Sequence, residues 1–254
     1  MELIETLHKI WALGPWSILL FDFKVDYGAL VKTLGPHWLY LDKSSFFIGT
    51  NPPGPCKDHT IWRNQFSSTF CDEFGLEFSE PGMSKSFDFL LPPLNRSSGN
   101  YYYWPSFKDI DTFLEHTPDT AVVRKSQYKE SLRNQLGKII TEGGPMVDVR
   151  RGFDVLEDAI LPGKSICFDM FLIDEILARY IVNTIALQLI YLVMTYRLVT
   201  QNTVIYFIVD EADPIASEKA AKRYEAGYNH LGKICKQLRA FGVQAIISST
   251  SLGG

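Results

Sequence analysis

The chain has 254 residues, of which 46% are hydrophobic and 13% aromatic, and this is enough apolar material for one large domain or two small ones. The composition excludes disordered, collagen-like and disulfide-scaffold proteins. The chain has 25 basic and 29 acidic residues. It therefore lacks the basic excess of a module that binds nucleic acid by charge alone. Any contact with DNA must therefore be local.

The cysteines and the amino terminus favour a protein of a reducing compartment. The four cysteines are too few and too scattered for a disulfide framework, and none has the spacing of zinc ligands. The first residues carry two glutamates and no basic segment ahead of an apolar one. We therefore expect no signal peptide and a cytoplasmic location.

The first part of the chain predicts a helix end and a strand, and from residue 49 its composition becomes rich in proline and glycine. Residues 2–13 resemble the end of a helix, and the apolar run 18–23 predicts a buried strand. From residue 49 onwards, proline and glycine separate short aromatic pieces, of which 61–74 predicts a helix. Because residues 49–160 are too many for a loop, we interpret them as a mostly helical insertion.

The second half of the chain alternates helices and strands. Helices are predicted at 125–141, 155–160, 174–198 and 217–241, and strands at 165–170, 203–209 and 243–248. This alternation predicts an α/β fold with a largely parallel sheet. We therefore divide the chain into an amino-terminal core part at 1–48, the insertion at 49–160 and a carboxyl-terminal core part at 161–254.

Residues 180–196 are uncharged and lie between Arg179 and Arg197, as a membrane span would. Their length is at the short limit of the roughly 17–25 residues that a transmembrane helix needs. The stretch also contains polar side chains, namely Asn183, Thr184, Gln188 and Thr195. We favour a buried helix, and a membrane anchor is the alternative.

The strongest chemical signal is an acidic pair at the end of the predicted strand 203–209. Asp210 and Glu211 follow the seven uncharged residues of that strand, and the carboxyl ends of parallel strands line the crevice where such sheets bind ligands. Phosphoryl transfer needs one carboxylate to hold Mg²⁺ and a second to orient or deprotonate the attacking water. We interpret the pair as a Walker B motif, with Asp210 on the metal and Glu211 on the water. The alternative is a plain solvated strand end.

Two further segments fit the same interpretation. Residues 22–27, at the end of the first predicted strand, are compared with a turn motif of the form Asp-Pro-Lys-Gly-Asp/Glu-Tyr. Asp22, Lys24, Asp26 and Tyr27 match this motif, whereas Phe23 and Val25 differ from it. An Arg-x-x-Gly-Val run is matched by Arg239, Gly242 and Val243. Ser249, Thr250 and Ser251 stand where an Ala-Thr-Gln sensor follows that run. In this order the elements resemble the HerA/FtsK group of P-loop ATPases, ring-forming motors of DNA translocation, DNA-end processing and conjugative transfer.

The resemblance implies a RecA-like core that binds ATP and Mg²⁺ in a homomeric, hexameric ring. It implies nucleotide contacts from Asp22, Thr250 and Ser251, and a metal contact from Asp210. It also implies an arginine finger, for which Arg239 and Arg151 are candidates, and a surface or helix-capping arginine is the favoured alternative at each position. The implied cargo is DNA or a protein, and the implied location is the cytoplasm, with attachment to secretion or transfer machinery at the inner face of the membrane as an option.

The chain departs from the group in two places. It contains no G-x-x-x-x-G-K-[ST] phosphate loop, and its nearest piece, Gly163-Lys164-Ser165, leads into a predicted strand instead of a helix. Ser251 is shorter than the sensor glutamine. We interpret the sequence as a fragment of such a motor, or one with a misplaced start. The alternative is a non-catalytic ring subunit, and an in-frame phosphate loop upstream of Met1 would distinguish the two.

Overall fold

The computed structural model describes residues 16–54, 59–73, 104–116, 126–196, 204–212, 239 and 243–248. Within these residues one sheet has five strands: β1 (Trp16–Asp22), β2 (Trp38–Leu41), β3 (Ser165–Asp169), β4 (Val204–Asp210) and β5 (Val243–Ile247). Their order is β2-β3-β1-β4-β5, and every neighbouring pair is parallel. The predicted α/β fold with a parallel sheet is confirmed, and β4 is an interior strand.

The described helices are α1 (Gly28–Thr33), α2 (His59–Glu73), α3 (Phe107–His116), α4 (Ser126–Gly143) and α5 (Glu175–Tyr196). Between α4 and β3 lie a 3₁₀ turn, Gly144–Met146, and a π-helical turn, Val155–Ile160. The helices predicted at 61–74, 125–141, 155–160 and 174–198 are confirmed. The predicted helices at 2–13 and 217–241 lie outside the described residues.

Both faces of the sheet are buried, which explains why its central strands are uncharged runs. Leu19 and Phe21 of β1 belong to the large hydrophobic cluster on the side of α5, which we call the α5 face. Ile18 and Leu20 belong to a smaller cluster with Val31 of α1, which we call the α1 face. Because side chains alternate along a strand, the odd-numbered residues of β1 lie on the α5 face and the even-numbered ones on the α1 face.

Helix α5 forms the centre of the large cluster. By length and composition it is the one helix in the described part of the chain that could cross a membrane, but 89% of the apolar window is buried inside the protein. It packs on α2, with the rings of Trp62 and Tyr191 5.5 Å apart and those of Phe66 and Tyr180 6.4 Å apart. The predicted buried helix is confirmed.

Helices α2, α3 and α4 contribute to the same cluster as α5. The rings of Phe70 in α2 and Phe107 in α3 lie 5.8 Å apart, and Leu132 and Leu136 of α4 are buried. These helices fall within the predicted insertion, 49–160. The division of the chain at residues 48 and 160 stays a prediction.

Two distant segments, 47–54 and 146–156, form a buried junction beside α5. The Gly152 amide donates to the Asn51 side-chain oxygen (2.7 Å), and the Gly54 amide donates to Oδ2 of Asp154 (2.6 Å). The Gln188 amide group of α5 bonds the backbone of residues 153 and 155. The junction thus brings the two ends of the range 49–160 together.

Candidate functional site

Three neighbouring strands end in an aspartate at the same register. Asp22 of β1 is paired with Asp169 of β3 on one side and with Asp210 of β4 on the other. Side chains at the same register of adjacent strands share a face, and Leu20, two residues before Asp22, lies on the α1 face. The three carboxylates therefore emerge together on the α1 side of the carboxyl edge. Asp22 and Asp210 were expected to meet at this edge, and the structure places them side by side.

Asp22 is fully buried and organises the turn that follows β1. Its carboxylate accepts hydrogen bonds from the backbone amides of Lys24 (3.1 Å), Asp26 (3.3 Å) and Tyr27 (3.0 Å). Burial raises the pKa of Asp22, and these amides act in the opposite direction. The carboxylate therefore shapes the turn at 23–27, and its contact with a nucleotide stays a prediction.

That turn contains a valine in a backbone conformation that favours glycine. Val25 has φ of 66°, and its side chain is 40% exposed. The Asp-Pro-Lys-Gly-Asp/Glu-Tyr-like turn of the HerA/FtsK group has glycine at this position. Because a left-handed conformation is unfavourable for a side chain with a Cβ, the departure at Val25 adds strain to the turn.

Val25→Gly is expected to raise the stability of the chain. Relief of the left-handed strain is worth about 1–2 kcal/mol, and the added freedom of glycine in the unfolded chain offsets about 0.5–1 kcal/mol of it. We expect a net gain of about 0.5–1 kcal/mol in urea unfolding. Val25→Ala retains the Cβ and is expected to give no such gain. A loss of stability in Val25→Gly would contradict the claim that Val25 strains the turn.

Asp210 is nearly buried and is held by a hydroxyl group. Ser248 donates from Oγ to Oδ1 of Asp210 (2.5 Å), and Tyr27 interacts electrostatically with this carboxylate. Burial, and next the negative charge of Asp210, raise the pKa of Tyr27. Tyr27 therefore remains a protonated donor. The carboxylate predicted to organise Mg²⁺ is thus held by a hydrogen bond from the β5 side.

Glu211 lies at a sharp bend and contacts the turn after β1. Its backbone φ is 55°, again in the left-handed region. Its carboxylate forms an ion pair with Lys24, whose side chain is half exposed. The ion pair joins the turns that follow β1 and β4. The predicted base is therefore at the expected edge, but its carboxylate is engaged by a cation of the same chain.

Sequence reasoning missed Asp169. Its Oδ2 accepts from the Tyr40 hydroxyl (2.5 Å), and its Oδ1 accepts from the Phe171 amide (2.9 Å). Burial, and next the bond to Asp169, raise the pKa of Tyr40. The signal was present, because β3 is an apolar run that ends in aspartate, as β1 and β4 are.

The described residues contain no group of three or more His, Cys, Asp or Glu side chains that could together hold a metal ion. A nucleotide-bound Mg²⁺ keeps several waters and takes one or two carboxylates together with substrate phosphates. Asp210 could serve as such a carboxylate, since the Ser248 hydroxyl orients it. Asp22 is committed to backbone amides and fits less well.

The other predicted residues are not brought to this edge by any described contact. Thr250 and Ser251 lie outside the described residues, and Arg239 is exposed. Arg151 forms an ion pair with Glu157, and both side chains are largely exposed. The arginine-finger roles of Arg239 and Arg151 therefore stay predictions.

The fold is similar to solved structures of VirB4 and TrwB. VirB4 of Thermoanaerobacter pseudethanolicus superposes with a TM-score of 0.60 at 13% sequence identity, over 96% of this chain and 90% of VirB4. The bacterial conjugative coupling protein TrwB, in its unbound form, superposes with a TM-score of 0.58 at 12% identity, over 97% of this chain. The chain has the VirB4 and TrwB fold. The predicted RecA-like P-loop NTPase core is thereby confirmed as the fold class.

A second TrwB structure adds a ligand to the comparison. TrwB in complex with the non-hydrolysable ATP analogue ADPNP superposes with a TM-score of 0.58 at 13% identity, over 97% of this chain. The chain spans 58–59% of the TrwB chains. No protein-family model and no curated protein matches the sequence. The resemblance to the HerA/FtsK group is therefore supported through the VirB4 and TrwB fold.

Proposed function

We propose that the chain is a core part of an ATP-driven transport motor of the HerA/FtsK type, which uses Mg-ATP hydrolysis to move DNA or a protein. One observation carries the proposal. Asp22 and Asp210 end neighbouring parallel strands in register, and Glu211 follows at once. Support comes from TrwB, which shares the fold and has been solved with an ATP analogue.

In this proposal the acidic pair divides the chemistry. Asp210 would hold Mg²⁺, and the metal would supply neutralisation of the charge that develops during phosphoryl transfer. Glu211 orients the attacking water and accepts its proton. Ser248 keeps the Asp210 carboxylate in place, and Lys24 holds Glu211 near the turn after β1. Asp22 shapes that turn, and so positions both Lys24 and Tyr27.

The remaining parts of the proposal concern the assembled motor. Thr250 and Ser251 contact the nucleotide from the segment after β5. Arg239 or Arg151 reaches the nucleotide of a neighbouring subunit in a hexameric ring. The ring works in the cytoplasm, at transfer or secretion machinery on the inner face of the membrane. Support for this setting is the conjugative role in the name of TrwB.

The function is tested by ATP hydrolysis in the protein as encoded in full. We expect Mg²⁺-dependent turnover that Asp210→Asn reduces by about 10²-fold or more, because the amide is a poor magnesium ligand. Asp169→Asn is the matched control, since Asp169 ends the neighbouring strand and bonds Tyr40 instead of the acidic pair. Equal losses in both variants, or no loss in Asp210→Asn, would contradict the assignment.

A second candidate function is a non-catalytic ring subunit that binds a partner. One observation favours it: Glu211 is paired with Lys24. In such a subunit the acidic pair would hold two turns together and would do no chemistry. Full-length protein without ATPase activity, but with incorporation into a ring, would select this candidate.

The polypeptide of residues 1–254 is expected to bind ATP weakly or not at all. Asp210 and Glu211 arrange metal and water, whereas phosphate affinity comes chiefly from the backbone amides and lysine of a phosphate loop. Calorimetry with Mg-ATP should therefore show no saturable binding in the micromolar range, and Asp210→Asn should look the same. Micromolar binding by this polypeptide would mean that other residues hold the phosphates.

A further inference from the structure

Ser248, the residue after β5, uses every polar atom it has to bond the chain around the acidic pair. Its Oγ donates to Oδ1 of Asp210 (2.5 Å) and accepts from the amide of Glu211 (3.0 Å). Its own amide donates to the carbonyl of Val209, and its carbonyl accepts from the amide of Ala212. One serine thus bonds each of the four residues from 209 to 212.

The hydroxyl contacts differ from the backbone contacts in what they determine. The two backbone bonds continue the pairing of β4 with β5, and any residue except proline at position 248 could form them. The Oγ bonds depend on the serine side chain, and they reach the Asp210 carboxylate and the backbone amide of Glu211. Through one oxygen atom, the Asp210 carboxylate is linked to the backbone of Glu211.

The Glu211 backbone needs such a contact. Its φ of 55° is unfavourable for a residue with a side chain, and it sets the direction in which the Glu211 carboxylate leaves the strand. A hydrogen bond to the Glu211 amide helps to hold that conformation. Without the hydroxyl, the partly buried Glu211 amide would lose its acceptor, and the Asp210 carboxylate would lose its hydroxyl donor.

We propose that Ser248 is a positioning residue for the hydrolytic step. Its hydroxyl fixes the Asp210 carboxylate and the Glu211 backbone relative to each other, so that metal ligand and base keep one geometry. The consequence for hydrolysis rests on the proposed function of the acidic pair. The positioning itself does not, and it is measured separately.

Amide hydrogen exchange, followed by NMR in the 254-residue chain, tests the positioning. In Ser248→Ala the Glu211 amide should exchange about tenfold faster or more, because its acceptor is gone. The Ala212 amide bonds the Ser248 carbonyl, which the substitution retains, so its rate should change less than about threefold. Ser248→Thr retains a hydroxyl and should restore the protection of Glu211. Equal exchange of Glu211 in the wild type and in Ser248→Ala would overturn the proposal.

Steady-state kinetics of the protein as encoded in full test the consequence. Ser248→Ala should lower kcat by about 10- to 100-fold with a smaller change in KM for ATP, because misplaced groups slow chemistry more than binding. Ser248→Thr should recover most of kcat. Ser17→Ala is the matched control, since Ser17 is buried at the other end of the sheet and bonds the Ala159 carbonyl.

The outcomes separate the two claims. A kcat in Ser248→Ala equal to that of Ser17→Ala would overturn the role of Ser248 in hydrolysis, even with ATPase activity present. A wild type that hydrolyses no ATP overturns the proposed function, and with it that role. In that case the exchange of the Glu211 amide still decides whether Ser248 positions the pair.

Discussion

Glu211→Gln is expected to lower ATP turnover by about 10²–10⁴-fold in the protein as encoded in full, while nucleotide remains bound. The amide keeps the size of the side chain and loses the group that accepts the proton of water. Asp210 and its hydroxyl partner Ser248 are unchanged, so Mg-nucleotide affinity should stay within a few-fold. Turnover and the binding of an ATP analogue are measured on the same preparation.

The ion pair with Lys24 requires a control, because the substitution also removes that contact. Lys24→Gln breaks the ion pair and leaves the carboxylate of Glu211 in place. If Glu211 is the base, Lys24→Gln should retain far more activity than Glu211→Gln. Wild-type turnover in Glu211→Gln would show that Glu211 is only a charge at the end of a strand, and equal losses would assign the effect to the ion pair.

Gly152→Ala is expected to destabilise the fold by about 3 kcal/mol or more. A Cβ at position 152 would lie 2.0 Å from the Gly49 amide nitrogen and 2.6 Å from the carbonyl carbon of Ile48. These are backbone atoms, so no side chain can rotate away. The substitution must push apart the segments 47–54 and 146–156, and with them the bond from the Gly152 amide to Asn51.

Gly137→Ala provides the control for this effect. Gly137 lies in α4, and a Cβ there would meet no atom within 4 Å. Because alanine is the better helix former by about 1 kcal/mol, this variant should be as stable as the wild type or more so. Urea unfolding of both variants measures the difference. A Gly152→Ala variant within about 1 kcal/mol of the wild type would show that the junction is not tightly packed.

The parts of the fold that could be predicted are those with a strong one-dimensional pattern. The strands of the sheet centre are uncharged because both of their faces are buried, and α5 is uncharged because nearly all of it lies inside the protein. Strand β2, Trp38–Leu41, was missed. It has four residues, three of them only partly buried, and so short a run cannot be distinguished from a loop by its pattern.

The acidic residues of the candidate site could be predicted from the sequence, but the residues that contact them could not. Asp22 and Asp210 follow apolar runs, so their position at one edge of a parallel sheet could be inferred. The partners of the acidic pair, Lys24, Tyr27 and Ser248, come from other strand ends. No spacing in the sequence links them, because the contacts depend on strand order and register. Only the resemblance of the turn after β1 to a known motif pointed towards Lys24 and Tyr27.

The central claim is that the carboxyl edge at β1 and β4 binds a metal–nucleotide complex, and paramagnetic NMR with Mn²⁺ in place of Mg²⁺ tests it most directly. With Mn²⁺ and ADPNP added to the protein as encoded in full, the amide signals of Asp22, Glu211 and Ser248 should broaden strongly. Asp210→Asn should abolish that broadening, because the carboxylate ligand is removed. Nucleotide binding that leaves these signals sharp, or broadening that persists in Asp210→Asn, would contradict the account.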